Sequence, residues 1–249
     1  MLEWTTERYV AESQAAAPPE FVVRFDALVA RRAAREPYAY IVGHEEFWGL
    51  TLEVTPAVLI PRPETELLVE LAIDRCPANA SLRIADVCTG SGCVAVAIAR
   101  ERPAVSLQAT DISDAALDVA RRNAARHGVS ARIGFSRRDL LDGVDGPFDL
   151  IVANPPYVAE RDRAALQPEV VDHEPGIALF AGDDGLDAVR RLLPQSAARL
   201  KPGGTLLFEF GFGQDEAVSR LISSTPGLRM IGLRRDLAGI PRVAVATRE

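Results

Sequence analysis

From residue 82 onward, short apolar runs alternate with segments of helical spacing, and this alternation constrains the fold more than any other feature of the chain. Strands that alternate with helices predict an α/β domain with a mainly parallel sheet. The predicted strands are 82–87, 105–110, 131–135, 148–153, 205–210, 229–234 and 243–247. The predicted helices between them are 93–101, 113–127, 185–200 and 214–223.

Residues 1–63, which precede this alternation, have a different pattern of apolar residues. Residues 1–36 have helical spacing with a break at 15–19, which predicts a short helical arm. The β-rich runs 38–42 and 50–54 flank two glycines and predict a β-hairpin within a linker of residues 37–63. We therefore expect a catalytic domain over residues 64–249, which opens on a helix to about residue 75 and contains an irregular stretch at 155–184.

Composition narrows the class of protein. The 249 residues carry 28 Lys and Arg against 35 Asp and Glu, a net charge of −7, which argues against a broad basic surface for nucleic acid. Three cysteines without paired spacing favour a reducing compartment, and the few histidines form no metal-ligand pattern. No leader-like N-terminus or long apolar run is present, so we expect a cytoplasmic protein without a membrane partner.

A glycine-rich turn at 86–92 joins the first predicted strand of the domain to its helix. Glycines there allow a ligand to approach the backbone, and the helix start offers unpaired N–H groups. Asp111 ends the next strand and could accept hydrogen bonds from ribose hydroxyls, and Asp139 follows the third strand, where it could reach an adenine amine. A dinucleotide such as NAD, or a turn without a ligand, remains an alternative. The candidate cofactor residues of the turn are Asp86, Thr89, Gly90, Ser91 and Gly92.

The second motif, Asn154-Pro155-Pro156-Tyr157, directly follows the strand 148–153. The prolines remove two N–H donors, which leaves the Asn154 side-chain oxygen and the Pro155 carbonyl as neighbouring acceptors. Two such acceptors suit a planar NH2 group, and Tyr157 offers an aromatic face for packing. The acceptors would also stabilise positive charge that develops on nitrogen during its attack on a methyl group.

Together, the nucleotide site and this motif resemble the class I S-adenosylmethionine methyltransferases that carry Asn-Pro-Pro-Tyr. The resemblance implies a Rossmann-like fold with a sheet of seven strands, and S-adenosyl-L-methionine as the cofactor. The motif is shared by enzymes that methylate glutamine side-chain amides and by enzymes that methylate exocyclic amines of nucleic-acid bases. These four residues, with Asn154 also near the cofactor, are the candidate catalytic residues, and they leave the two substrate classes open.

The flanking segments look like the HemK/PrmC family of protein-(glutamine-N(5)) methyltransferases, which modify the Gly-Gly-Gln loop of peptide chain release factors. The resemblance rests on segments 24–32, 36–43, 46–50, 54–66, 174–175, 178–179, 184–187, 202–204 and 236–239 and on Gly182. It implies that Asn154 and Pro155 bind the substrate amide and that Tyr157 packs nearby. It also places a loop near cofactor and substrate, formed by Arg62, Pro63, Glu64 and Thr65.

Two departures from that family concern the substrate. The helical arm is several dozen residues shorter than the family's, and Cys88 stands where the family usually has glycine. We expect a release factor as the protein partner and no stable nucleic-acid partner. Glutamine methylation of another protein such as a ribosomal protein, or methylation of an exocyclic base amine, remains the alternative.

Overall fold

A computed structural model describes residues 5–12, 14 and 16–249. The strands of the described chain are β1 (His44–Phe47), β2 (Leu50–Glu53), β3 (Arg83–Val87), β4 (Ser106–Asp111), β5 (Ile133–Arg137), β6 (Phe148–Ala153), β7 (Leu200–Glu209), β8 (Leu228–Arg235) and β9 (Pro241–Arg248). Its α-helices are α1 (Thr6–Glu12), α2 (Pro19–Ala33), α3 (Tyr38–Val42), α4 (Glu66–Arg75), α5 (Cys93–Glu101), α6 (Asp114–Arg126), α7 (Pro168–His173), α8 (Gly176–Leu179), α9 (Asp187–Arg199) and α10 (Asp215–Ser223). Short 3-10 helices lie at Pro63–Thr65, Ser130–Arg132 and Glu160–Ala165.

Seven strands form one sheet in the order β5-β4-β3-β6-β7-β9-β8, and β1 pairs with β2 in a separate hairpin. The neighbouring pairs β5-β4, β4-β3, β3-β6 and β6-β7 are parallel, whereas β9 is antiparallel to both of its neighbours, β7 and β8. This confirms the predicted α/β class with a mainly parallel sheet of seven strands. From β3 the chain adds β4 and β5 on one side, and it then returns to place β6 on the other side of β3. Open sheets of this kind bind ligands at such a reversal of strand order, here between β3 and β6.

The register of three parallel strands brings their carboxyl ends into one row. Val87 of β3 pairs with Ala153 of β6, and Ala153 pairs with Phe208 of β7. All three residues are fully buried, so apolar packing on both faces of the sheet holds this register. The residues that come next along the chain therefore emerge side by side at one edge. They are Cys88, Asn154 and Glu209.

The predicted first strand of the hairpin is wrong. Tyr38–Val42 forms helix α3, which begins after Pro37 and ends at Gly43 in the left-handed conformation (φ 80°). The aromatic and β-branched residues of this run favour a strand locally, but the helix buries Ala39 and Tyr40 against the domain, and this packing overrides the local preference. The hairpin itself exists one segment later, with Trp48 and Gly49 at its turn, both at positive φ.

The stretch 155–184 is more ordered than predicted. It contains the 3-10 helix Glu160–Ala165 and the short helices α7 and α8. An isolated parallel bridge joins Val158 to Phe180. These short elements fold back on the end of β6, so the segment forms one wall of the crevice above the sheet.

Helix α2 lies on the outside of the molecule, and none of its residues is buried. Arg32 and Arg35 connect its C-terminal end to the body through ion pairs of 3.0 and 2.7 Å with Glu169 of α7. In the part of the chain that the structure describes, no helix combines the length and apolar character needed to cross a bilayer.

The hairpin is joined to the domain by the buried side chain of Asn123 on α6. Its amide oxygen accepts from the Glu53 N–H at 2.7 Å. Its amide nitrogen donates to the Glu53 carbonyl at 3.0 Å and to the Ser91 carbonyl at 2.9 Å. One side chain therefore ties strand β2 to the glycine-rich turn.

We expect Asn123→Ala to lower the free energy of unfolding by about 3 kcal/mol, because it leaves one buried and two half-buried backbone groups without their hydrogen-bond partner. Urea denaturation measures this loss. Arg122→Ala is the matched control: Arg122 binds Glu53 through an ion pair on the surface of the same helix, and its loss should cost at most about 1 kcal/mol. Equal losses for both variants would contradict the role given to Asn123.

Candidate active site

A cavity of about 350 Å³ lies at the carboxyl ends of β3, β4, β5 and β6, at the point where the strand order reverses. Its volume falls within the range of small-molecule sites. Ten of the predicted site residues line it, which confirms that the fold brings these distant segments together. They are Arg62, Thr65, Asp86, Thr89, Gly90, Ser91, Asp111, Asp139, Asn154 and Pro156.

The glycine-rich turn enters α5 through a run of left-handed residues. Cys88 has φ 59°, Gly90 has φ 55° and Gly92 has φ 80°. A Cβ at Gly90 would meet open space, whereas one at Gly92 would lie 3.0 Å from Cβ of Ala120. The backbone of Gly90 is thus open to the cavity without a side chain in front of it. Gly92 does not line the cavity, and its lack of a Cβ allows α5 to pack closely against α6.

Cys88 takes the left-handed conformation that the glycine of the resembled family would adopt without a steric penalty. A residue with a Cβ carries a cost of about 1–2 kcal/mol there. Burial raises the pKa of its thiol, and the carboxylates of Asp111 and Asp86 raise it further. The thiol is therefore neutral and acts as a small apolar wall of the cavity.

Two carboxylates give the cavity its electrostatic character. Asp86 is buried and accepts a hydrogen bond from the Thr89 hydroxyl, and burial raises its pKa to about 7. Asp111 accepts from the N–H groups of Gly90 at 2.9 Å and Ser113 at 3.0 Å, and burial raises its pKa as well. Among the described residues neither carboxylate makes an ion pair, so both are available to a positively charged or hydroxyl-bearing ligand.

Asp139 lies at the far end of the cavity, after β5. Its carboxylate forms an ion pair with Arg191 of α9, and both side chains are about half exposed. A second ion pair closes the opposite side, where Arg62 binds the buried Glu174. Glu174 also accepts from the Ile60 N–H at 3.2 Å, and this holds the loop before α4 against the segment 155–184.

Asn154 lines the cavity, and the hydrogen bond of its amide nitrogen shows which of its polar atoms has a partner. Its Nδ2 donates to Thr65 Oγ1 at 3.1 Å, which directs Oδ1 away from Thr65. No donor in the described chain hydrogen-bonds to Oδ1 or to the Pro155 carbonyl oxygen. The Pro155 ring is buried and Pro156 is half-buried, so the backbone that carries these acceptors is held rigidly.

Tyr157 lies beside the main cavity and lines a smaller, polar one of about 230 Å³. That cavity is shared with Arg62 and Glu64, two of the predicted substrate residues, and with Glu209 and Arg242. The Tyr157 hydroxyl donates to Glu209 Oε1 at 3.0 Å. Of the predicted residues, Pro63, Gly92 and Pro155 line neither cavity.

Glu209 and Gln214 are the functional candidates that sequence reasoning missed. Glu209 is a buried acid at the end of an apolar strand, and this single charge between two phenylalanines is the signal that could have identified it. Gln214 opens α10, and its Nε2 donates to the carbonyls of Tyr157 at 3.0 Å and Asp184 at 3.2 Å. It therefore fixes the backbone of the Asn-Pro-Pro-Tyr loop.

Comparisons with known proteins agree with this geometry. Residues 64–174 match the family model of the methyltransferase small domain, and residues 1–43 match the PrmC N-terminal domain. A release factor glutamine methyltransferase from Koribacter versatilis is 43% identical over 89% of this chain and 78% of its own length. One from Cereibacter sphaeroides is 45% identical over 92% of this chain and 81% of its own length.

A solved structure extends the comparison. The ribosomal protein L11 methylase from Lactobacillus delbrueckii subsp. bulgaricus superposes with a TM-score of 0.56 and 27% identity. The match covers 76% of this chain and 80% of that chain.

Gly185 gives a test of how tightly the Tyr157 backbone is held. A Cβ at Gly185 would lie 2.2 Å from the Tyr157 carbonyl oxygen and 2.8 Å from Gln214 Nε2, so Gly185→Ala must displace this contact. Gly213→Ala is the matched control, since Gly213 is equally left-handed but a Cβ there would meet nothing within 4 Å.

We expect the control to lose about 1 kcal/mol from strain alone and Gly185→Ala to lose about 2–3 kcal/mol more from the clash, measured by urea denaturation. Equal stability of the two variants would contradict the close packing around Tyr157.

Proposed function

The chain belongs to the family of release factor glutamine methyltransferases, and on that premise we propose that it methylates the side-chain amide of a glutamine in a release factor. The target would be the glutamine of the Gly-Gly-Gln loop, and the methyl donor S-adenosylmethionine. The observation that carries the proposal is the pair of neighbouring acceptors, Asn154 Oδ1 and the Pro155 carbonyl oxygen, neither of which receives a hydrogen bond within the described chain. Asn154 lines the cavity that Asp86 and Asp111 also line.

The residues of the cavity fit S-adenosylmethionine. When bound, this cofactor supplies an electrophilic methyl group on a positively charged sulfur. Asp86 is buried and Asp111 is half-buried, and neither makes an ion pair within the described chain. Such carboxylates suit a ligand with cationic groups and ribose hydroxyls better than one with a pyrophosphate. The bare backbone at Gly90 allows such a ligand to approach closely.

The chain's own residues would act on the substrate amide by positioning and by charge. Each acceptor takes one N–H of the amide, so the nitrogen is held in line with the methyl donor. The same acceptors would stabilise the positive charge that develops on the amide nitrogen when it takes the methyl group from the cofactor. The methylated nitrogen would be acidic and would lose its proton to solvent water, so no strong base is required beside the motif.

The smaller cavity and the arm would complete substrate binding. The cavity next to Tyr157 carries Arg62, Glu64 and Arg242, groups that can bind the polar backbone of a loop that reaches the site. We assign residues 1–36 to a substrate-binding arm, 37–63 to a hairpin linker and 64–249 to the catalytic domain. The exposed apolar side chains of α2, with Phe21 stacked on Phe25, support the first assignment.

Other substrates could use the same pair of acceptors, because an exocyclic base amine is also a planar NH2 group. The structural relative that is a ribosomal protein methylase adds a second protein substrate to be tested. These alternatives belong to one experiment with a panel of substrates.

The test is mass spectrometry of a release factor, a large-subunit ribosomal protein, RNA and DNA after incubation with the enzyme and S-adenosylmethionine. We expect a gain of one methyl group on the Gly-Gly-Gln glutamine. A release factor with alanine in place of that glutamine is the control and should gain nothing. Methylation of another panel member with no gain on the release factor would overturn the proposal.

We expect Asn154→Ala to lower kcat by about 100-fold or more while the cofactor Kd stays nearly unchanged, because the lost acceptor acts on the substrate nitrogen. Initial rates with release factor give kcat, and calorimetric titration with the cofactor gives Kd. A parallel loss of both quantities would show that Asn154 supports the fold of the cavity instead.

Cofactor affinity should depend on pH through Asp86. Its pKa of about 7 means that a large fraction is protonated at pH 7, and a cationic ligand favours the ionised form. Affinity should therefore rise about tenfold between about pH 6 and about pH 8, with proton release on binding. Calorimetry across this range measures it. Asp86→Asn should flatten the dependence, and an unchanged slope in that variant would contradict the assignment.

A further inference from the structure

We propose that Glu209 is a positioning residue for methyl transfer, which acts through Thr65 to fix which atom of the Asn154 amide faces the substrate. The inference rests on the proposed function, because it concerns the acceptor that this function requires. It follows from a series of hydrogen bonds that joins Glu209, Thr65 and Asn154, in which Glu209 determines which group donates at each step.

This series of hydrogen bonds begins at the Glu209 carboxylate, which can only accept hydrogen bonds when it is ionised. Thr65 Oγ1 donates to its Oε2 at 2.7 Å, and the Tyr157 hydroxyl donates to its Oε1 at 3.0 Å. The single proton of the Thr65 hydroxyl is therefore used. The remaining lone pairs of that hydroxyl can only accept, so Asn154 must turn its NH2 group toward Thr65.

This direction matters because Asn154 could otherwise rotate its amide by half a turn. The two orientations have the same shape and differ only in which end donates. In the flipped state the NH2 group of Asn154 would face the NH2 group of the substrate, and the acceptor would be lost. Glu209 thus selects the orientation in which Oδ1 faces the substrate.

The burial of Glu209 supports a functional reason for its presence. Glu209 is 1% exposed and Thr65 is 2% exposed. In the described part of the chain the Glu209 carboxylate makes these two hydrogen bonds and no ion pair. The neighbouring Arg242 pairs with Asp236 at 3.1 Å. A buried, unpaired carboxylate is costly for stability, so a role in the site explains it better than a role in the fold.

The surroundings of Glu209 are otherwise mixed in charge. Burial raises its pKa, the two hydroxyl donors and Arg242 lower it, and Glu64 raises it. Burial outweighs these donors, so the pKa of Glu209 is raised overall. The two hydroxyl groups that point at its oxygens form the geometry that an ionised carboxylate accepts. The same carboxylate also holds Tyr157, so one acid orders both ends of the Asn-Pro-Pro-Tyr loop.

Glu209→Gln tests the direction of the chain with little change in shape. A glutamine can satisfy Thr65 with either its oxygen or its nitrogen, so the orientation of Asn154 is no longer determined. We expect kcat to fall by about 100-fold, as for a misplaced reacting group, while the Kd for S-adenosylhomocysteine stays within about threefold. Equal kcat for the variant and the wild type would overturn the proposal.

Thr65 provides a second test that does not depend on the folding of the Glu209 variant. Thr65→Val removes the hydroxyl that links the two ends and should lower kcat in the same way, whereas Thr65→Ser keeps it and should restore at least about a third of the activity. Thr110→Val is the matched control, because its buried hydroxyl makes no hydrogen bond within the described chain. Equal losses in Thr65→Val and Thr110→Val, or no recovery in Thr65→Ser, would overturn the proposal.

The kcat of the double variant Glu209→Gln/Thr65→Val shows whether the two residues act through the same hydrogen bonds or independently. Residues that act through one chain should lose no more together than either loses alone, whereas independent effects would multiply. If the wild type methylates another member of the substrate panel, the proposed function fails, and the same variants measured on that substrate still decide the role of Glu209.

Discussion

The register of three parallel strands is the constraint on which the site depends. Val87, Ala153 and Phe208 lie in one row across the sheet, so the segments that follow them meet at one edge although they are far apart in sequence. Burial on both faces makes a slip of one residue costly, because it would reverse the direction of every side chain. The cofactor turn, the acceptor loop and the buried acid are thereby placed within reach of each other.

Two kinds of buried acid have different tasks in this arrangement. Asp86 and Asp111 face a cavity in which a positively charged ligand can offset their burial. Glu209 faces two hydroxyl groups and offsets its burial with their hydrogen bonds. In the function proposed above, the first pair would bind the cofactor, and the second acid would act on the residues that bind the substrate. Each has a raised pKa, yet the chemistry follows from the groups that each one faces.

The strands and helices of the catalytic domain could be predicted because their apolar periodicity is local. The segment Tyr38–Val42 could not, since its strand-like composition is overruled by contacts with distant residues. Asp111 and Asn154 stand at the carboxyl ends of predicted strands, so their place in the sequence is enough to predict a position at the sheet edge. The place of Glu209 beside Asn154 depends on how β7 pairs with β6. The use of the Thr65 hydroxyl is likewise visible only once the direction of each hydrogen bond is known.

The most direct test of this account is a crystal structure of the enzyme with S-adenosylhomocysteine and a Gly-Gly-Gln peptide that carries N(5)-methylglutamine. The methyl group identifies the side-chain nitrogen without doubt about its orientation. We expect this nitrogen within about 3 Å of Asn154 Oδ1 or the Pro155 carbonyl oxygen, with the methyl group directed at the sulfur. A glutamine bound with its carbonyl oxygen toward Asn154, or outside the cavity, would contradict it.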